Sequence, residues 1–511
     1  MSTGFRKYIL DPLYGVIYFP DYIWEILHIP EMQRLRELRL CNINSLCFTG
    51  GANINRYEHS LGTCYLAILS LEENYKDLPI KEKKLFVLAA LFHDVYNAAF
   101  GHSLEYIEGK EPENLFYSSV TGKASENKAV TFEPIYFGFY EEIYNALKNR
   151  LKLSDREVEK VAKYIRGEGE LGVLISGTID LDNIDNVFRL SYHMGLVGKT
   201  ETPILLAKKI FSVDNSLRFK SDDYTLIYEW IDLRKRLYKF LLLNPEEFSA
   251  KYMLTEAIEL SKEKDDIPFS WYDTDYQLLK HLSTVTSETK NIIGNLMNGR
   301  LYTCIAIYSS NKLEKYKDFL YYQSRNKIES NISNLFKPES LKRIDDFTLT
   351  EQKTIKGIKG IFYDSVNKVL KITTELKSEI LDYLINNELN EHKNIIKQMF
   401  NEAKEKQNLY KLKSSIKNIN IGLHPILDKN KTERKVIIKS NDNKEIILGT
   451  SSNDLHIGIF IKNIEFINSN ISQYQNLDNI KSEIEKYLKN YLNDSNLKEI
   501  TLYGEAIYDK C

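Results

Sequence analysis

LAALFHDVYNAAFGH, residues 88–102, is apolar enough to be buried as a helix, yet at His93 and Asp94 it sets an imidazole beside a carboxylate with no spacer. A buried polar group without a partner costs a few kcal/mol and a buried charge more, so something must coordinate this pair. His59, in INRYEHSLG at the start of one expected helix, and Asp182, in TIDLDNIDNVFRL at the start of another, are the partners the sequence offers. Two neutral imidazoles and two carboxylates form a mixed nitrogen and oxygen set suited to a divalent ion such as Mn, Fe, Zn or Mg, with the carboxylates offsetting its charge. Thiolate-loving metals are disfavoured. His93 and Asp94 can share one ion over the end of the helix, where side chains about 100° apart converge.

The surrounding chain is mainly α. Apolar residues recur near every 3.6 positions in PDYIWEILHIPEMQRLREL, HSLGTCYLAILSLEENY, KEKKLFVLAALFHDV and DYTLIYEWIDLRKRLYKFLL, so consecutive helices are expected over roughly the first 305 residues. Between Glu108 and Glu133 that period is lost and Gly, Pro, Ser and Thr gather, as in a loop or flap. Residues 306–420 read as a helical extension rich in Lys, Asn, Ser and Ile, with patterns such as YDSVNKVLKITTELKSEILDYLI. After about Asn420 the period becomes two: KVIIKS, NDNK and EIILG predict a hairpin, and LHIGIFIKNIEFI a buried strand. Residues 421–511 are therefore expected as a smaller α+β C-terminal lobe, regulatory or involved in oligomerisation.

Composition bounds the function. The 511 residues are 43% hydrophobic and 27% charged, within the ordinary globular range, and the formal charge of -2 lacks the basic excess of a protein that coats nucleic acid. No stable duplex nucleic-acid binding is expected. No stretch approaches 18 uninterrupted apolar residues and the N-terminus has no signal-peptide pattern, so a cytoplasmic protein without membrane association is expected. Five scattered cysteines without a C-x-x-C pair suggest reduced structural thiols.

The order His, His-Asp, Asp on helices, within ILDPLYGVI, PEMQRLREL, GANINRYEHSLGTCYLA, FHDVYNAAFGHSLEY and IDLDNIDNVFRLSYHMG, resembles the HD phosphohydrolases. Among them it is similar to the deoxynucleoside triphosphate triphosphohydrolases, over roughly residues 5 to 305. The resemblance implies an HD-domain helical core in which His59, His93, Asp94 and Asp182 hold a catalytic metal. Water would attack the α-phosphate of a dNTP and release deoxynucleoside and inorganic triphosphate, with Mg accompanying the triphosphate. It further implies that Arg56 and Arg234 contact phosphates, that His102, oriented by Glu105, serves the leaving 5'-oxygen, and that Asp180 orients a ligand histidine.

Several positions depart from the family pattern. Asn97 stands where the family has a histidine, Asn186 where it has a tyrosine over the deoxyribose, and Leu190 where it has an acid. Asn97 and Asn186 are still expected to face the substrate, with sugar selection working differently. Lys7, Gln33, Arg36 and Arg300 match part of a regulatory nucleotide site, while Leu10 and His28 replace its base-reading positions. An effector nucleotide and a homo-oligomer, dimer or tetramer, are implied. The alternatives are an HD-type phosphatase or nuclease on other nucleotides, and a nucleotide-sensing protein with reduced catalysis.

Overall fold

The computed structural model describes residues 7–41, 53–101, 104, 109, 111–121, 139–196, 201–264, 270–335, 340–343, 361–364, 369–372, 420–440, 442–462 and 477–500. Helices dominate and the sheets are small, so the chain is mainly α. It divides into two compact units, Met1–Ile307 with Ile426–His456 and Ile500–Cys511, and Tyr308–Pro425 with Ile457–Glu499. The stretch Ile426–His456, which in sequence reads with the C-terminal lobe, clusters with the first unit.

In the first unit, helix Arg56–Asn74 packs against Ile80–Phe92, Leu181–His193 and Glu201–Lys209. Helix Ile80–Phe92 is buried at every position from Leu85 to Phe92, which explains its lack of a polar stripe. Its outer neighbour is Asp155–Ile165, whose buried Val158, Val161, Ala162 and Ile165 make one apolar face and whose start carries a Ser154/Glu157 capping box. Thr225–Leu243 covers Leu181–His193 from another side. The stretch PDYIWEILHIPEMQRLREL is broken at Pro30 into helices Asp21–Leu27 and Pro30–Arg34 and a 3-10 turn at Leu35–Glu37, because proline has no amide to continue the first helix. Ahead of them Ile9–Asp11 and Gly15–Ile17 form an antiparallel hairpin.

Part of the expected loop at 108–133 is a helix, Pro112–Thr121. Proline at its first position and Glu113 in its first turn favour initiation, and Phe116 and Val120, one turn apart, are buried on the side that meets Asp155–Ile165. Residues 122–138 lie outside the described residues.

The second unit carries helices Tyr316–Leu320, Tyr322–Leu335 and Leu477–Leu492, and a sheet formed, in order, by strand Lys498–Glu499 and residues 308–310, 457–461 and 421–425. The expected strand in LHIGIFIKNIEFI is Asn453–Ile461. The helical expectation for YDSVNKVLKITTELKSEILDYLI is corrected at its start. Ile361–Asp364 and Val369–Ile372 are antiparallel strands, joined in one sheet with Ser340–Arg343. Two four-residue runs rich in β-branched and aromatic residues, separated by Ser-Val-Asn-Lys, satisfy a hairpin as well as a helix, and pairing across the turn decided between them. Residues 373–419 lie outside the described residues.

Glu31, in helix Pro30–Arg34, is buried; Oε1 accepts from Ile143 N at 3.3 Å, and Oε2 has no partner among the described residues. Burial pushes its carboxyl up to about 7. A carboxyl that holds its proton more tightly in the native state stabilises the fold fully below the unfolded-state pKa, and that contribution is lost as pH rises through the native value. Glu31→Gln is therefore expected to be more stable than wild type at pH 8, by on the order of 1–3 kcal/mol, with the difference closing towards pH 5. Urea unfolding at the two pH values measures this; an equal or reversed difference at pH 8 contradicts it.

Candidate metal and phosphate site

The site is assembled from three helix ends. Asn55 caps helix Arg56–Asn74 by accepting from Glu58 N at 2.9 Å, which fixes the first turn so that Arg56 and His59, three residues apart, share a face. His93 is the C-cap of Ile80–Phe92, and its Nδ1 donates to Ala90 O at 2.9 Å, a carbonyl left free by the end of the helix. Asp180 caps Leu181–His193, accepting from Asn183 N at 2.7 Å and Gly177 N at 2.8 Å, so Asp182 falls in the first turn.

These constraints direct three donor atoms at one focus. His59 Nε2 lies 2.9 Å from Asp182 Oδ1 and 3.2 Å from His93 Nε2, and His93 Nε2 lies 3.5 Å from Asp182 Oδ1. Donors about 2.1 Å from a common ion sit about 3 Å apart, so the spacing is that of a coordination sphere. His93 commits its Nδ1 proton to Ala90 O, which leaves the Nε2 lone pair facing the focus. His59 Nδ1 donates to Asp185 Oδ2 at 2.7 Å. Two inward nitrogens and a carboxylate oxygen in contact require positive charge between them, either a proton on His59 or a metal cation. Burial pushes the His59 ring down, but Asp182 and Asp185 outweigh it and raise the ring to about 10. The donor set itself, two ring nitrogens and a carboxylate oxygen at this spacing, fits a divalent ion of the nitrogen and oxygen type.

Asp94 stands at the edge of this group rather than inside it. Its oxygens are 3.8 Å from each imidazole Nε2 and are already engaged, Oδ2 by Arg56 Nη1 at 2.8 Å and Oδ1 by Asn97 Nδ2 at 2.8 Å. Despite burial, Arg56 and the two imidazoles hold the Asp94 carboxyl below its ordinary value. Asn97 thus positions Asp94, and Arg56 bonds to the same carboxylate from helix Arg56–Asn74. The Asp182 side chain is 32% exposed, against 1% for His59 and 6% for His93, so the focus opens to solvent past Asp182.

Asp180 does not orient a histidine. Its oxygens serve Gly177 N, Asn183 N and Asn183 Nδ2. Asp185 takes that role through His59 Nδ1, and it is in turn clamped by Arg189, whose Nε and Nη2 each donate at 2.9 Å, and by the Tyr14 hydroxyl at 2.8 Å. Arg189 is fully buried and also pairs with Glu58 at 2.6 Å and Asp11 at 3.0 Å. A Cβ at Gly62 would collide with Asp185 Oδ1 and Arg189 Nη2, so the absence of a side chain there lets the clamp reach His59. The spacing Asp182, Asp185, Arg189 places all three on one helical face, a signal present in DNIDNVFR.

Arg234, 4% exposed, donates to Asn183 Oδ1 at 3.0 Å and lies between the rings of Trp230 and Tyr238. Asn183, absent from the sequence-based candidates, links it to Asp180. Asn186 lies one turn beyond Asp182 and keeps Oδ1 buried without a partner among the described residues. His102 and Glu105 lie outside the described residues. Of the regulatory candidates, Lys7 lies over Trp24, Gln33 Nε2 donates to Leu27 O at 2.5 Å, Arg36 lies 4.8 Å from the Tyr57 ring centre, and Arg300 is exposed with no contact to the other three among the described residues.

Asp185→Asn is expected to weaken metal binding about 10- to 100-fold, because it takes the carboxylate charge from behind His59 and sets an amide that can turn its NH2 towards the ring, at a cost in stability from the partly unpaired Arg189. Calorimetric titration with Mn2+ measures it; unchanged affinity would detach Asp185 from the site. Gly62→Ala tests the same clamp from the other side. Alanine gains about 1 kcal/mol of helix propensity, but overpacking against a buried ion pair costs about 1–3 kcal/mol. Lower stability together with weaker Mn2+ binding is the expected result, and a more stable variant with intact binding contradicts it.

Residues 56–190 match the HD domain family. Over 266 residues the chain is 24% identical to the uncharacterized protein YwfO of Bacillus subtilis, covering 51% of this chain and 57% of that protein. Over 338 residues it is 24% identical to the deoxynucleoside triphosphate triphosphohydrolase SAMHD1 homolog of Dictyostelium discoideum, covering 62% of this chain and 64% of that protein. The chain spans between 51% and 64% of the length of the first curated relatives it matches. In fold it is similar to a phosphohydrolase from Bacteroides thetaiotaomicron, with a TM-score of 0.50 at 16% identity, over 89% of this chain and 99% of that one. No helix among the described residues is long and apolar enough to cross a membrane. Residues 56–190 are thus an HD domain, and among the chain's curated relatives is a deoxynucleoside triphosphate triphosphohydrolase homolog.

Proposed function

We propose that the chain is a metal-dependent triphosphohydrolase that cleaves dNTPs to deoxynucleoside and inorganic triphosphate. The observation that carries this reading is the focus of His59, His93 and Asp182, which opens past Asp182 and has Arg234 joined to its helix through Asn183. A metal ion held there, Mn, Fe, Zn or Mg, supplies a water of lowered pKa and neutralises charge on phosphate oxygens. Mg accompanies the triphosphate.

The chain's own residues do the rest. His59 and His93 present neutral nitrogens to the ion once their other nitrogens are committed to Asp185 and Ala90, and Asp182 contributes the anionic oxygen. Arg56 and Arg234 are the guanidinium donors for phosphate, whose fork geometry they match. In the reaction an oxygen from water bonds to the α-phosphorus, the bond from that phosphorus to the 5'-oxygen breaks, and the 5'-oxygen takes a proton. On the resemblance to the family we assign that proton to His102, with Glu105 as its acidic partner. Asn186 offers its unpartnered carbonyl oxygen to a hydroxyl of the substrate. An effector nucleotide at Lys7, Gln33, Arg36 and Arg300, and assembly as a dimer or tetramer, are part of this reading on the family resemblance of those residues alone.

Product analysis tests it. Wild type with Mn2+ or Mg2+ is expected to release one tripolyphosphate per deoxynucleoside from at least one common dNTP, and His93→Ala to lose at least about 1,000-fold in rate, as when a ligand of a metal-bound nucleophile is removed. Release of orthophosphate or a nucleoside monophosphate would favour a phosphatase or nuclease. No release from any dNTP or NTP would overturn the assignment.

A further inference from the structure

The stretch Ile426–His456 belongs to the unit that carries the metal focus. Its antiparallel hairpin, Val436–Lys439 with Glu445–Leu448, meets the turn leading into helix Leu181–His193. Thr178 Oγ1 donates to Ile437 O and accepts from Ile437 N, both at 3.1 Å. Lys235 pairs with Glu433 at 2.5 Å, and Arg218 donates to Ser440 O at 2.7 Å and to Asn443 Oδ1. Gly449, at φ +75°, lies where a Cβ would collide with Arg434 O, so glycine lets the backbone close over Arg434.

Arg434 is the residue this docking delivers. Its Nε donates to Thr178 O at 3.0 Å and its Nη2 to Gly177 O at 2.8 Å, two residues from the Asp180 cap, and Nη1 has no partner among the described residues. Its charge interacts with those of Arg234, Asp180 and Asp182. Arg234, deeply buried, also keeps Nε without a partner among the described residues. Two guanidinium groups in one neighbourhood repel each other, and Asp180 and Asp182 offset this from a distance without bonding to either group. Asp182 faces the imidazoles, and Asp180 is bonded to its own turn. An anion with several oxygens would bond to both guanidinium groups at once.

We propose that Arg434, brought by the C-terminal hairpin, joins Arg234 to bind the distal phosphates of a nucleoside triphosphate whose α-phosphate lies at the metal focus. This rests on the reading of the preceding subsection for the identity of the substrate. The two carbonyl bonds hold the guanidinium plane, so that Nη1 and Arg234 Nε meet phosphate oxygens without ordering a flexible side chain on binding. The hairpin thereby makes the centre selective for a chain of three phosphates over a single one.

The full-length protein loaded with Mn2+ and titrated calorimetrically with inorganic tripolyphosphate, and separately with orthophosphate, tests this without turnover. Arg434→Gln is expected to bind tripolyphosphate at least tenfold more weakly, with Mn2+ and orthophosphate affinities within twofold of wild type. Arg434→Lys keeps the charge but not the fork; should Arg434→Gln fold poorly, Arg434→Lys must weaken tripolyphosphate at least threefold at unchanged Mn2+ affinity. Unchanged tripolyphosphate binding in both variants overturns the proposal, as does a parallel loss of Mn2+ affinity, which would make Arg434 only a brace for the turn. A wild type that binds tripolyphosphate through Arg434 yet releases none from nucleotides would sink the reaction assigned above and leave the binding residue in place.

Discussion

Two imidazole nitrogens 3.2 Å apart, with a carboxylate oxygen within 3.5 Å of both, need positive charge between them. The arrangement persists because each ring is committed from behind. Ala90 O takes the outer proton of His93, and Asp185 that of His59, so neither ring can turn away from its neighbour. Positive charge at the focus, whether a proton or a divalent ion, then becomes part of the fold. The rest of the helical unit can be read as the means of holding these three atoms in place: two helix N-termini and one C-terminus, each closed by its own cap.

The clamp behind His59 carries the larger structural burden. Arg189 and Asp185 are both fully buried, and a buried pair is weak evidence for stability in itself because desolvation offsets much of the attraction. Breaking it is another matter, since the surviving charge would be left in a dry interior. Asp11, Tyr14 and Glu58 spread that charge further, which ties the N-terminal hairpin to the metal site through Arg189. Gly62 gives up helix propensity to make room for the clamp. The arrangement favours a single geometry at the focus over maximal stability of any one helix.

Much of this was legible in the amino-acid sequence. The uninterrupted apolar run before His93 marks a buried helix, and the appearance of His59, His93 and Asp182 at expected helix ends marks a shared ligand. What the sequence did not separate was the rank of neighbouring acids. Asp180, Asp182 and Asp185 are close in sequence, and only the cap geometry decides that the first bonds its own turn, the second faces the focus and the third faces a ring nitrogen. Asp94 reads as a ligand beside His93, and the structure adds what the sequence did not show, that Arg56 and Asn97 also bond to its oxygens. Arg434 was invisible because its placement depends on contacts some 250 residues distant, between Thr178 and Ile437 and between Arg434 and Gly177. The strands at Ile361–Asp364 and Val369–Ile372 were missed for a local reason: short apolar runs fit either period until pairing selects one.

The most direct test is anomalous diffraction from crystals of the full chain grown with Mn2+. The expected result is one strong peak at the focus, bonded to Nε2 of His59, Nε2 of His93 and a carboxylate oxygen of Asp182, with Asp185 still bonded to the far nitrogen of His59. A map with no peak there, or with manganese bound elsewhere while the two rings turn apart, would contradict the claim that these three side chains are built around a metal ion.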